Sequence, residues 1–120
     1  MKFGEFMKEL RLKKDFGLRE FCKKFNLDPS NWSKLERGIL TPPSDNDLLK
    51  KWATQLGLKK NDKDWFLFFD LASIARREIP SDILNDKNIV EMLPLFYRTL
   101  RGQKPTVKEM KNVAKLLKDS

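Results

Sequence analysis

Apolar residues recur at three- and four-residue spacing along most of the chain, and no stretch alternates apolar with polar positions under β-branched enrichment. This periodicity predicts an all-α protein. A first helix over residues 2–15 gathers Phe3, Phe6, Met7 and Leu10 on one face, which the aliphatic stem of Lys14 extends, and Gly17 breaks it. A second helix, over 18–25, carries Leu18, Phe21, Cys22 and Phe25 on its stripe. Asn26 follows, one of the few residues that tolerates the left-handed backbone of a tight helix exit. Asp28 then suits an N-cap and Pro29 a first helical position, opening a third helix over 29–37 that stops at Gly38. Pro42 and Pro43 stiffen the loop beyond it.

Further along, Ser44 with Asp47 forms a capping-box pattern that opens a fourth helix, which carries Leu49, Trp52, Ala53 and Leu56 and ends at Gly57. Asn61 is the predicted cap of a fifth helix reaching Arg77. It holds Trp65, Phe66, Phe68, Phe69, Leu71 and Ile74, so it is apolar on more than one face and belongs either at the centre of a core or in a subunit interface. Pro80 interrupts. Asp86 caps a short helix to Met92, Pro94 predicts a break or kink, and Leu95, Phe96 and Leu100 continue to Gly102. Thr106 with Glu109 is a second capping box, opening a last helix with Val107, Met110, Val113, Ala114 and Leu117 on its apolar side.

Composition narrows the chemistry. At 120 residues, with 40% hydrophobic residues, nine Phe and three Trp, there is material for a core. No apolar run approaches the ~20 residues of a membrane span, and the first residues lack the apolar segment of a secretory signal. The expectation is therefore a cytoplasmic protein with no membrane partner. The single Cys22 cannot form an intramolecular disulfide, and the chain has no His. Histidine acid/base chemistry, Cys/His zinc patterns and the usual nucleophilic triads fall away, as do Gly-rich phosphate loops. This points away from an enzyme and toward a protein with no cofactor and no metal. The 25 Lys and Arg against 17 Asp and Glu leave a net charge of +8. A small domain this basic has an acidic partner as its first expectation, nucleic acid foremost.

Residues 18–38 meet the steric demands of a helix-turn-helix. Its first helix needs a small residue where the second crosses, and Cys22 is a small hydrophobe. Its turn needs a residue able to take positive φ, then an apolar plug, and Asn26 and Leu27 supply them. The second helix needs a cap and outward polar side chains. Asp28, Pro29, Ser30, Asn31, Ser33 and Lys34 meet that need, while Trp32 and Leu35 face inward. This stretch resembles the XRE family of Cro- and lambda-repressor-like DNA-binding domains. The likeness is most specific in Ser33-Lys34-Leu35-Glu36-Arg37-Gly38 followed by Thr41-Pro42-Pro43-Ser44. Leu48 to Leu58 is similar to the family's fourth helix, and the likeness covers residues 3 to about 75. Cys22 and Asn26 stand where the family usually has Ala and Gly, which is sterically tolerable. Pro29 and Trp32 are less usual, so base preference is not carried over from relatives.

The resemblance implies a five-helix lambda-repressor-like DNA-binding domain over 1–77, followed by a helical extension over 78–120 for dimerisation or partner binding. Helix 29–37 would lie in the major groove of a double-stranded operator. Ser30, Asn31 and Lys34 match base-reading positions, and Arg19, Ser33 and Arg37 match or adjoin phosphate contacts. Glu36 would make a structural contact with a basic residue. Lys23 and Lys24 are either a solvated face or phosphate contacts. Lys108, Lys111, Lys115 and Lys118 oppose the last apolar stripe and are open to water, phosphate or an acidic partner. Because one reading helix covers few base pairs, repressors of this type pair two helices about 34 Å apart. A homodimer is therefore expected, built partly from Trp65, Phe68, Phe69 and Phe96. Three functions stay open: a homodimeric repressor, an antitoxin that binds a toxin through 78–120 and represses its own operon, and an interaction module that keeps the fold without binding DNA. The outward face of helix 29–37 is neither acidic nor apolar, which weighs against the last.

Overall fold

The computed structural model describes residues 1–119. Among them are eight helices and no strand: α1 (Phe3–Lys13), α2 (Leu18–Lys24), α3 (Pro29–Glu36), α4 (Asn46–Gln55), α5 (Lys63–Ala75), α6 (Ser81–Leu84), α7 (Lys87–Leu100) and α8 (Val107–Asp119). The all-α expectation holds. The chain divides into two compact units, Met1–Glu78 and a second that begins at Ile79. No helix among the described residues is long and apolar enough to cross a membrane.

In the first unit the predicted stripes converge on one core. Phe3, Phe6, Met7 and Leu10 of α1 meet Phe21 and Cys22 of α2, Trp32 and Leu35 of α3, Leu49 and Trp52 of α4, and Phe68 and Leu71 of α5. Aromatic rings run through it, with centroids 5.2 Å apart for Phe21 and Trp32 and 5.0 Å for Trp32 and Trp52, the spacing of tilted and edge-on pairs.

Several helix ends depart from the sequence expectation. α1 stops at Lys13 because Asp15 takes φ 63°, and Gly17 instead precedes α2 in extended backbone. The cap of α4 is Asp45, not Ser44. Its carboxylate accepts from the Asp47 and Leu48 amides at 3.0 and 3.3 Å, and a charged acceptor at a helix N-terminus outcompetes a hydroxyl one residue earlier. Asn61 turns left-handed at φ 69° and leaves Asp62 at the N-cap of α5. Pro94 does not end a helix: α7 runs continuously through it. Pro94 and Val90 one turn earlier are both exposed, so the hydrogen bond that proline cannot donate is lost on the solvent side.

The dimer surface expected on α5 needs correction. Phe68 is fully buried and Trp65 nearly so, both within the first unit's own core, and Phe69 is half-buried against them. α5 is in contact with both α1 and α4, and that position uses the aromatic side chains which looked surplus. Its exposed large apolar residues are Phe66 and Ile74. Phe96, in the second unit, is exposed.

The second unit holds α6, α7 and α8. α7 begins at the Asp86 cap, whose carboxylate accepts from the Asn88 and Ile89 amides. Both halves of the Thr106–Glu109 capping box form, at 3.0 and 3.1 Å. Arg98 of α7 pairs with Glu109 of α8, and its hydrogen bond holds the Glu109 carboxyl down at about 2.

Candidate nucleic-acid interface

The turn between α2 and α3 is built as its sequence requires. Asn26 takes φ 54°, and the Leu27 amide reaches back to the Cys22 carbonyl at 2.8 Å, closing the end of α2. Leu27 packs onto the core. The Asp28 carboxylate accepts from the Ser30 amide at 2.9 Å, and Pro29 occupies the first turn, where a missing N–H costs nothing.

The inner side of α3 is fixed by a buried cluster. Glu36 accepts from Arg11 Nε and Nη2, both at 2.8 Å, and from the Trp32 indole at 2.7 Å. Arg11 Nη1 donates to the Phe16 carbonyl at 2.8 Å. Both charged side chains are about 95% shielded from water (relative exposure 6% and 5%). In that setting a two-pronged guanidinium–carboxylate pair satisfies both charges, and the hydrogen bond to Glu36 pushes the Arg11 pKa above its ordinary value. Next to the cluster, α1 passes so close to the end of α3 that a Cβ on Gly4 would lie 2.4 Å from the Leu35 and Glu36 carbonyl oxygens. The structural contact expected of Glu36 is thus with Arg11. Lys14, expected to extend the α1 stripe, is exposed, and the buried side chain is that of Arg11, four residues after Met7 on the same stripe. An arginine in the register of buried apolar residues, and a glycine between Phe3 and Phe6, were the available signals.

The outer side of α3 carries the polar residues. Ser30 and Asn31 are exposed, and Ser33 and Lys34 are half-exposed. Arg37 is exposed, and its Nε donates to the Ser33 hydroxyl at 3.2 Å. Arg19, the second residue of α2, lines a shallow hollow with Asp28, Ser30 and Ser33, where the starts of α2 and α3 converge. The fold therefore brings Arg19, Ser30 and Ser33 to one hollow and Arg37 onto Ser33, with Asn31 and Lys34 on the same helix. The Lys24 ammonium lies 4.9 Å from the centroid of the Phe16 ring, a cation–π position that gives it a partner within the fold. Cys22 is buried, and desolvation pushes its thiol up, which keeps it from acting as a thiolate. Among the described residues no group of three or more Cys, Asp or Glu side chains could hold a metal ion. In comparisons with known proteins, the chain matches no family model, no curated protein and no solved structure.

Proposed function

We propose that this chain is a sequence-specific regulator of transcription that binds double-stranded DNA, with α1–α5 arranged in the lambda-repressor-like manner and α3 in the major groove. It is a binding protein rather than an enzyme, works in the cytoplasm, and acts as a homodimeric repressor. The observation that carries the reading is the two-sidedness of α3. Its inner side is fixed to α1 through Glu36 and Arg11, and its outer side offers Ser30, Asn31 and Lys34 to a partner. These are residue types that read base edges: an amide can pair with adenine at two points, and an ammonium donates to guanine acceptors. Arg19 and Arg37 flank them with positive charge suited to phosphates. The net charge of +8 and the XRE-like residues 33–44 support the same reading.

The test is fluorescence anisotropy with the DNA immediately upstream of the chain's own gene, with a scrambled duplex as control, over a salt series. Preference for the upstream DNA of at least ~10³ is expected for a specific autoregulator. Removing Arg19 is expected to flatten the log K against log salt slope by about 1 for each phosphate that its guanidinium neutralises. Equal, weak and salt-sensitive binding to both duplexes counts against the proposal.

A further inference from the structure

α7 and α8, joined by the short link 101–106, lie side by side as a hairpin, and α6 packs on α7. Among them is an open cleft of about 560 Å³. That volume falls within the ~300–1,000 Å³ of small-molecule sites. Leu93 and Phe96 of α7 and Met110 and Val113 of α8 form its side walls, and Ile83 of α6 and Pro105 of the link stand at its two ends. Along α7 it runs from Ile89 to Thr99, about 15 Å of helix. Of the twelve described residues that line it, only Thr99 has a polar side chain, and that hydroxyl already donates to the Leu95 carbonyl at 2.8 Å. From Ile79 onward no described side chain is fully buried, and Phe96 and Met110 each expose more than half of their surface.

We propose that the cleft binds the hydrocarbon chain of a medium-chain fatty acid, with its carboxylate at the link end. The walls select the chain. They hold no polar group in want of a partner, so the enclosed part of the ligand is hydrocarbon. An extended peptide would leave its amides and carbonyls unpaired there. A docked helix, about 10 Å across, needs a groove open at both ends, whereas α6 and Pro105 stand across the ends of this one. A flexible acyl chain fits between them, and Met92 and Met110 are side chains that adapt their shape to it. Charge places the head group. Residues 98–109 carry Arg98, Arg101, Lys104 and Lys108 against Glu109 alone, and Glu109 is paired with Arg98. Arg101 and Lys104, exposed in the link beside Pro105, are the cations suited to a carboxylate. The opposite end mixes Asp82 and Glu91 with Lys115 and Lys118 and favours neither sign.

This site does not depend on DNA binding and is tested without DNA. Titration calorimetry of the full chain with sodium laurate, kept below its micelle concentration, is expected to show saturable binding of one laurate per chain. Octanoate is shorter by four methylenes and is expected to bind at least ~10-fold more weakly. Arg101→Glu with Lys104→Glu is expected to weaken laurate at least ~10-fold and to strengthen dodecyltrimethylammonium, which has a chain of the same length and the opposite charge. Ala114→Trp fills the cleft from the α8 side and is expected to abolish laurate binding. These three positions are exposed, so circular dichroism of both variants should match the parent. A parent chain that takes up no laurate, or that takes octanoate as well as laurate, overturns the proposal. So does an Ala114→Trp chain that binds laurate like the parent, or a charge-reversed chain whose preference is unchanged. Laurate affinity that falls as protein concentration rises overturns it in favour of a cleft closed by a second copy. Phosphatidylglycerol vesicles that capture the chain when free laurate does not overturn it in favour of a membrane surface. Laurate binding without operator binding sinks the DNA reading and leaves this one standing, and operator binding without laurate binding does the reverse.

Discussion

Glu36 receives three short hydrogen bonds at a place that water barely reaches. Removing one member of such a pair leaves the other charged and alone in low dielectric, a loss of about 3–5 kcal/mol. Glu36→Ala is expected to lower the unfolding free energy by about that much in urea titrations, and adding Arg11→Met to restore a large part of it. On the opposite side of α3, Asn31 is exposed. Asn31→Ala is expected to leave stability within about 0.5 kcal/mol. It should reduce discrimination at one operator base pair by about 1–3 kcal/mol, read from anisotropy against base-substituted duplexes. The two residues also differ in how legible they were. Asn31 announces itself through a local pattern of cap, proline and period. Arg11 does not, because its burial depends on a carboxylate twenty-five residues away, and an arginine among apolar residues reads at first as a side chain reaching for solvent.

At the scale of elements, the meeting of α1 and α3 depends on a missing side chain. The groups a Cβ at Gly4 would strike are backbone carbonyls, which cannot swing aside as a flexible side chain would. Gly4→Ala is expected to cost at least about 1–3 kcal/mol by overpacking, seen as a lower Tm with near-parent circular dichroism at low temperature. Helix existence was readable throughout the first unit because each stripe is strongly periodic. Helix ends were less so. Ser44, Asp45, Asn61 and Asp62 all carry good cap chemistry, and the choice between neighbours turns on the backbone each must adopt: Asn61 takes the left-handed turn and Asp62 the cap. Of the break or kink expected at Pro94 the break does not occur, since one absent hydrogen bond on the wet side of a fourteen-residue amphipathic helix does not end it.

For the whole molecule, the aromatic surplus attributed to a dimer surface was an error of allocation. A core shared by five short helices absorbs Trp65 and Phe68, while Phe66 and Ile74 of α5 stay exposed and the second unit exposes eight large apolar side chains. Acid should reach that unit through Glu109. Its carboxyl is held at about 2, below the ordinary 4.5, chiefly by Arg98, so the stability it contributes is complete above 4.5 and is lost as pH falls toward 2. The α7–α8 hairpin of the parent is expected to lose helicity over that window more steeply than Glu109→Gln, and the difference should shrink in high salt because the pair is exposed to solvent.

The first unit carries a quieter consequence of the Arg11–Glu36–Trp32 cluster. An isolated helix of eight residues is too short to persist in water, and a surface helix of that length ordinarily frays. Here α3 cannot peel away without breaking both guanidinium–carboxylate hydrogen bonds between Arg11 and Glu36 and pulling Trp32 and Leu35 out of the core. Local opening of α3 is therefore as costly as opening the unit. Its interior amide protons are expected to exchange with deuterium at the rate set by global unfolding, alongside those of α1, even though half the helix faces solvent.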